Sequence, residues 1–264
     1  MDRLVTLTTD FGTRSPYVAA MKGVILSINP QARIVDLSHD IPPQDITHAA
    51  FFLREALKYF PPGSLHVVVV DPGVGTGRAL LYVELGEQRI LAPDNGVWTL
   101  CEATAIRRVV RLEHRAWWRA EVSRTFHGRD VLAPVAGFLS LGLAPDLLGP
   151  RVSSWQTIQP PSFVDEGLRL CGEVWFVDDF GNLITSIPGA ALPAEGPVKV
   201  TVGGQAVTRH VATYGEAAPG EAISLISSSG YLEIAVVQGS AAVYFNAGRG
   251  APVRVWRQTL LAQH

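Results

Sequence analysis

The chain has 264 residues, which fits one large or two modest domains, and 47% of them are hydrophobic against 17% charged. Such a composition excludes a disordered chain, and a formal net charge of −2 leaves no basic field to hold nucleic acid or an anionic membrane surface. With two cysteines (Cys101 and Cys171), no signal-peptide pattern and no apolar run near the ~20 residues that span a bilayer, the sequence reads as a soluble cytoplasmic protein without a disulfide scaffold.

Residues 4–8 are a short β-branched run, read as a strand, and the turn signal Asp10-Phe11-Gly12 follows it. Pro16 can open a helix in which Val18, Met21, Ile25 and Leu26 recur at helical spacing, with Asn29-Pro30 at its end. Residues 34–37 read as a second strand. Asp45 suits the N-cap of a helix with Ala49, Phe52, Leu53, Ala56 and Leu57 on one face, closed by Pro61-Pro62-Gly63. Residues 65–70 include four consecutive valines between breakers, the pattern of a strand covered on both faces. Two more strands, 80–85 and 89–91, are joined at Gly86, and a helix is expected over about 130–141 with Pro134 near its start. This alternation predicts an α/β domain over residues 1–150, layered about a mainly parallel central sheet.

Pro145, Gly149, Pro150, Pro160 and Pro161 punctuate the next stretch, and 151–166 is read as a linker. Beyond it the pattern changes. Residues 168–177, 183–187, 198–202, 222–226, 231–237 and 252–256 are short strand-like runs parted by Gly, Pro or Ser. They predict a smaller C-terminal domain, 167–264, built as an antiparallel β-barrel.

Several polar residues sit where chemistry is common. Asp71 directly follows the valine run, and the carboxyl end of a buried strand is a favoured ligand position in an open α/β sheet. The glycine-rich loop 72–78 that follows lacks the lysine of a phosphate-binding loop and leads into a strand, so a phosphate cradle is rejected. Taken alone, that loop reads as a hairpin with a solvated Arg78. Asp10 also ends a strand, where a carboxylate can accept two ribose hydroxyls or simply close an Asx-turn. His127, before the 130–141 helix, is by itself a histidine satisfied by backbone, and Asp130 a helix-start acid. Residues 178–182 and 227–230 are turn material between strands. No zinc-ligand spacing and no GxSxG motif occurs, so a metal site and an acyl-enzyme hydrolase have no support.

Seven segments, in this order, resemble the SAM hydroxide adenosyltransferase family, which comprises adenosine-forming S-adenosyl-L-methionine (SAM) hydrolases and has the SAM-dependent fluorinase and chlorinase as relatives. They are TTDFG (8–12), YVAAMKGVI (17–25), VVDPGVGTGR (69–78), APDNG (92–96), FHGRD (126–130), DDFGNLIT (178–185) and SSGYLEIA (228–235). The resemblance implies an α/β domain followed by a β-barrel. It also implies a homotrimer whose sites lie between one subunit's N-terminal domain and a neighbour's C-terminal domain. The family's Asp-Arg-His set falls on Asp71, Arg78 and His127, and its ribose-binding aspartate on Asp10. Its adenine-binding asparagine falls on Asn182, beside Phe180. Residues at the methionine end fall on Asp178 and Ser228, and an adenine-proximal strand edge on Glu233 and Val236.

The sequence also departs from its relatives. Ser15 stands where many have an acid, and Gln44 where the halogenases carry an aromatic residue. Halogenases resemble this chain with Tyr in place of Asp71 and Ser in place of Gly128, and carry an extra loop not found here. The resemblance therefore implies hydrolysis of SAM at C5′ to adenosine and L-methionine. SAM is then the substrate, and neither a cofactor nor a metal is expected. Asp71 and His127 are expected to orient the water, with Arg78 fixing Asp71. The alternatives are a SAM-dependent halogenase and a non-catalytic adenosine- or SAM-binding protein. A methyltransferase is disfavoured, because its glycine-rich loop between strand and helix is absent.

Overall fold

The computed structural model describes residues 4–101, 106–193, 198–207 and 209–257. The chain divides into two compact units, Met1–Gln159 and Pro160–His264.

The first unit is a three-layer α/β sandwich. Its strands are β1 (Leu4–Thr9), β2 (Arg33–Ser38), β3 (Leu65–Val69), β4 (Leu80–Leu85), β5 (Gln88–Pro93) and β6 (Ile106–Arg111), in sheet order β2-β1-β3-β5-β4-β6. Neighbours from β2 to β5 are parallel, whereas β4 runs antiparallel to both β5 and β6. The valine run behaves as its pattern requires. Val67 and Val69 pack into one apolar cluster with helix α1 (Tyr17–Ile28) and helix α3 (Ala133–Ser140), and Val68 and Val70 into a second cluster with α2 (Ile46–Leu57). Asp45 caps α2 as expected, accepting the His48 N–H at 2.9 Å.

Three features depart from the expected elements. Strand β6 was not foreseen, because three arginines thin out its apolar pattern in IRRVVR; its pairing with β4 covers the edge of that strand. The expected helix over 130–141 begins instead as a π-helical turn, Gly128–Leu132, that continues into α3. Residues 151–159, read as part of a linker, contribute Val152 and Trp155 to the α2-side cluster.

The second unit is a nearly closed, mainly antiparallel barrel. Its strands are β7 (Val164–Asp165), β8 (Arg169–Val177), β9 (Leu183–Pro188), β10 (Val198–Val202), β11 (Gln205–Val207), β12 (Ala222–Ile226), β13 (Tyr231–Val236) and β14 (Pro252–Arg257), with a short helix α4 (Ala241–Tyr244) before the last. The order is β11-β10-β14-β8-β9-β13-β12, with β7 on the side of β8. A bridge from His210, just past β11, to Ser224 on β12 brings the two ends of this order together. Leu170, Val174, Leu183, Val200, Leu232, Ile234, Val253 and Val255 fill the interior. The unforeseen strands β7 and β11 have two and three residues, too short for a period-two pattern to register.

Candidate functional site

Chain direction gives the first unit a candidate ligand crevice. From β1 the chain crosses through α1 to β2 on one side, then through α2 to β3 on the other side of β1. The order therefore reverses between β1 and β3, and in open α/β sheets the crevice beyond the strand carboxyl ends at such a point takes ligands. Thr9 pairs with Val69 across these strands, so Asp10 and the loop that starts at Asp71 emerge side by side.

Three of the expected residues meet there. The Arg78 Nε–H donates to Asp71 Oδ1 at 2.7 Å and to Oδ2 at 2.8 Å, and its Nη2 also donates to Oδ2. That Nη2 lies 3.0 Å from His127 Nδ1. The Asp71 and Arg78 side chains are only 7% and 10% exposed, so this ion pair is screened little by solvent. Geometry of the loop makes the meeting possible. Gly75 adopts φ +82°, and a Cβ on it would stand 2.8 Å from the Arg124 carbonyl oxygen, so the 71–78 loop can accept the segment that carries His127 only with glycine there. Gly128 is similarly confined, since a Cβ would meet Val69 Cγ1 at 3.1 Å and Met21 Sδ at 3.3 Å.

A guanidinium has donors only, so His127 Nδ1 accepts from Arg78 and the ring proton resides on Nε2. Burial, then the Arg78 charge, push the His127 pKa below the ordinary 6.5, against the pull of Asp71 and Asp130. The imidazole is thus neutral, with Nδ1 taken by Arg78 and Nε2 a donor.

Asp130 is more than a helix-start acid. Its side chain is fully buried and accepts from Arg129 Nε at 2.7 Å, Arg119 Nη1 at 3.0 Å and the Ser123 N–H at 2.9 Å. Burial alone would raise this carboxyl, but those hydrogen bonds hold it below the usual carboxylate range. It pins the 119–130 segment that presents His127. The only sequence signal was an acid directly after an arginine. Asp10 accepts the Gln44 N–H at 2.8 Å, and Gln44 has φ +64°. Nothing in the sequence distinguished that backbone group.

The remaining residues belong to the second unit. Asp178 Oδ1 accepts the backbone N–H groups of Phe180 at 3.0 Å and Asn182 at 2.8 Å, and Oδ2 accepts Asn182 Nδ2 at 2.9 Å. Phe180 is 80% exposed at the tip of this turn, and Ser228 is exposed in the turn between β12 and β13. Glu233 and Val236 are buried on β13. Tyr214, which the sequence reading passed over, donates its hydroxyl to Glu233 Oε1 at 2.5 Å. Burial pushes the Glu233 carboxyl above the usual carboxylate range; the Tyr214 hydrogen bond opposes this and the Asp178 charge adds to it. Among the described residues no cluster of His, Cys, Asp and Glu could hold a metal ion, and no helix is long and apolar enough to cross a membrane.

Residues 5–149 match the model of the SAM hydroxide adenosyltransferase N-terminal domain, and 172–254 that of its C-terminal domain. A Thermus thermophilus protein named (R)-S-adenosyl-L-methionine hydrolase is 41% identical, covering 96% of this chain and 99% of its own. A fluorinase from an Actinoplanes species is 25% identical, covering 96% of this chain and 97% of its own across 294 aligned positions, more than this chain's 264 residues. The crystal structure of an uncharacterized conserved protein from Thermotoga maritima superposes with a TM-score of 0.88 at 34% identity, covering 96% of this chain and 100% of that one. Both domain models in order, and near-complete coverage of these relatives, show that this chain belongs to the SAM hydroxide adenosyltransferase family.

Proposed function

We propose that this chain hydrolyses S-adenosyl-L-methionine at C5′, releasing adenosine and L-methionine. The observation that carries the reading is the Arg78 side chain bridging Asp71 and His127 at the crevice between β1 and β3. The relatives named as hydrolases support the same substrate.

The chemistry asks little of the protein at the leaving group. Water oxygen attacks C5′, the C5′–S bond breaks, and its electron pair stays on sulfur as a neutral thioether. No general acid is needed. What remains is to hold an oxygen nucleophile in line, a task worth ~7–11 kcal/mol in favourable cases. Asp71 accepts a proton of that water. His127 donates its Nε2–H to the same oxygen, and the Arg78 charge favours hydroxide character there. Arg78 also locks the carboxylate and the imidazole in one geometry, because a single guanidinium touches both.

Asp10 is assigned the ribose hydroxyls. Asn182, beside Phe180, is assigned the adenine amino edge. The hydrogen bond from Asn182 Nδ2 to Asp178 leaves the amide oxygen of Asn182 free to accept from that edge. Asp178 keeps both oxygens within its own turn, which favours a role in aiming Asn182 over direct contact with the methionine end. Ser228 is assigned the methionine end, and Glu233 and Val236 the edge near adenine. SAM is the substrate, and the reaction as written draws on no cofactor. A homotrimer with shared sites and a cytoplasmic location complete the reading.

Incubation with SAM and chromatographic separation tests it. Equimolar adenosine and methionine are expected, with no 5′-halogenated adenosine when fluoride or chloride is added. Asp71→Asn should lose about 10²-fold or more in kcat, the scale of a positioned proton acceptor. SAM recovered intact would favour a binding protein, and an unreduced rate in Asp71→Asn would remove Asp71 from the mechanism.

A further inference from the structure

A cavity of about 270 Å³ lies in the first unit against the same histidine and arginine. Arg78 and His127 line it, but neither Asp71 nor Asp10 does. Leu80, Leu112 and Val131 on its lining are buried, while Arg111 and Glu113 are exposed and joined by an ion pair at 2.6 Å. The lining therefore combines an exposed charged pair, buried apolar side chains and two polar groups of the candidate site. Its volume holds several waters, and Arg78 and His127 offer the polar partners that ordered water requires.

We propose that this cavity is the route and reservoir for the attacking water, separate from the entrance used by SAM. The inference rests on the hydrolytic reading above. In-line displacement sets the water on the side of C5′ opposite sulfur, so bound SAM stands between that water and its own entrance. A second path spares each turnover from needing its water loaded first. The apolar walls limit how many solvent molecules reach the pair, and Arg78 and His127 select the one that is oriented. Val122, half-buried on the loop between Trp118 and His127, lines the cavity and packs at the margin of the first cluster.

Val122→Phe narrows the cavity at a half-buried position, and Glu113→Trp crowds it at an exposed one. Each should lower kcat by about tenfold while leaving the Kd for adenosine, measured by calorimetry, within about twofold of the native value. A change that merely loosened the fold would weaken adenosine binding and lower Tm together. Val122→Ala, which widens the passage, should keep the native kcat. If Val122→Phe fails to fold, Glu113→Trp decides alone. Native kcat in a folded Val122→Phe and in Glu113→Trp would overturn the proposal, and so would parallel loss of adenosine binding and rate. Failure of the native protein to release adenosine from SAM is a different result, and it would overturn the hydrolytic reading itself.

Discussion

Because a guanidinium only donates, the contact between Arg78 Nη2 and His127 Nδ1 exists only while that nitrogen is unprotonated. Protonating His127 would set two donors against each other and add a second cation beside Arg78. In the proposed mechanism the working form is therefore the neutral imidazole, and activity should rise with pH as His127 loses its proton. Its pKa lies below the ordinary 6.5, so the acid limb of kcat should be centred below 6.5. Measuring kcat from about pH 4.5 to about pH 8 checks this, and a limb centred above the ordinary histidine value would contradict the assignment. At this scale the sequence was informative in an uneven way. Asp71 could be singled out because it ends a buried strand. His127 could not, except through resemblance, since its meaning depends on a partner 49 residues away. Asp130 looked like a helix-start acid because sequence shows the neighbours along the chain and not the Arg119 that reaches it across a loop.

Elements with a strong internal pattern were legible, and elements defined by their partners were not. β3 declared itself through its valines, and α2 through Asp45 and its spacing. In α2 the expected face meets the second cluster through Ala49, Phe52, Leu53 and Leu57, with Phe52 only half-buried, while Phe51 is buried outside that cluster. The π-helical turn at Gly128–Leu132 was invisible, since nothing in a local pattern specifies one extra residue per turn. Another device of the sheet is His66 on β3. Its Nε2–H donates to Gln88 Oε1 at 3.2 Å, and its Nδ1 accepts from the Thr6 hydroxyl at 2.8 Å. Burial lowers its pKa from 6.5 to about 4. The unfolded chain then takes up a proton below 6.5 that the folded protein refuses until about pH 4, so stability falls as pH falls through that window. The loss from this residue is at most ~3 kcal/mol. Urea unfolding at several pH values should show a shallower acid loss in His66→Gln than in the native protein, and equal slopes would refute the account.

For the whole molecule, the proposed assembly gives a direct mass. Light scattering should report three times the 28.5 kDa of one chain, and the mass of a single chain would remove the shared-site part of the reading. Dilution offers a second view. If neighbouring subunits complete each site, specific activity should fall as the trimer dissociates, whereas a self-contained chain would hold its activity constant.

The sequence by itself determined the two kinds of architecture, the strands and helices with strong periodicity, and through seven ordered motifs the family. Those depend on short-range preferences and on residue identity, which the chain carries in its order. Tertiary structure decided which side of β1 receives β3, and so where the sheet reverses and which strand ends share a crevice. It also decided that one arginine touches an acid seven residues behind it and an imidazole 49 residues ahead. Contacts of that kind arise from packing between distant segments, and their free energy is spread over core residues that carry no local mark of it.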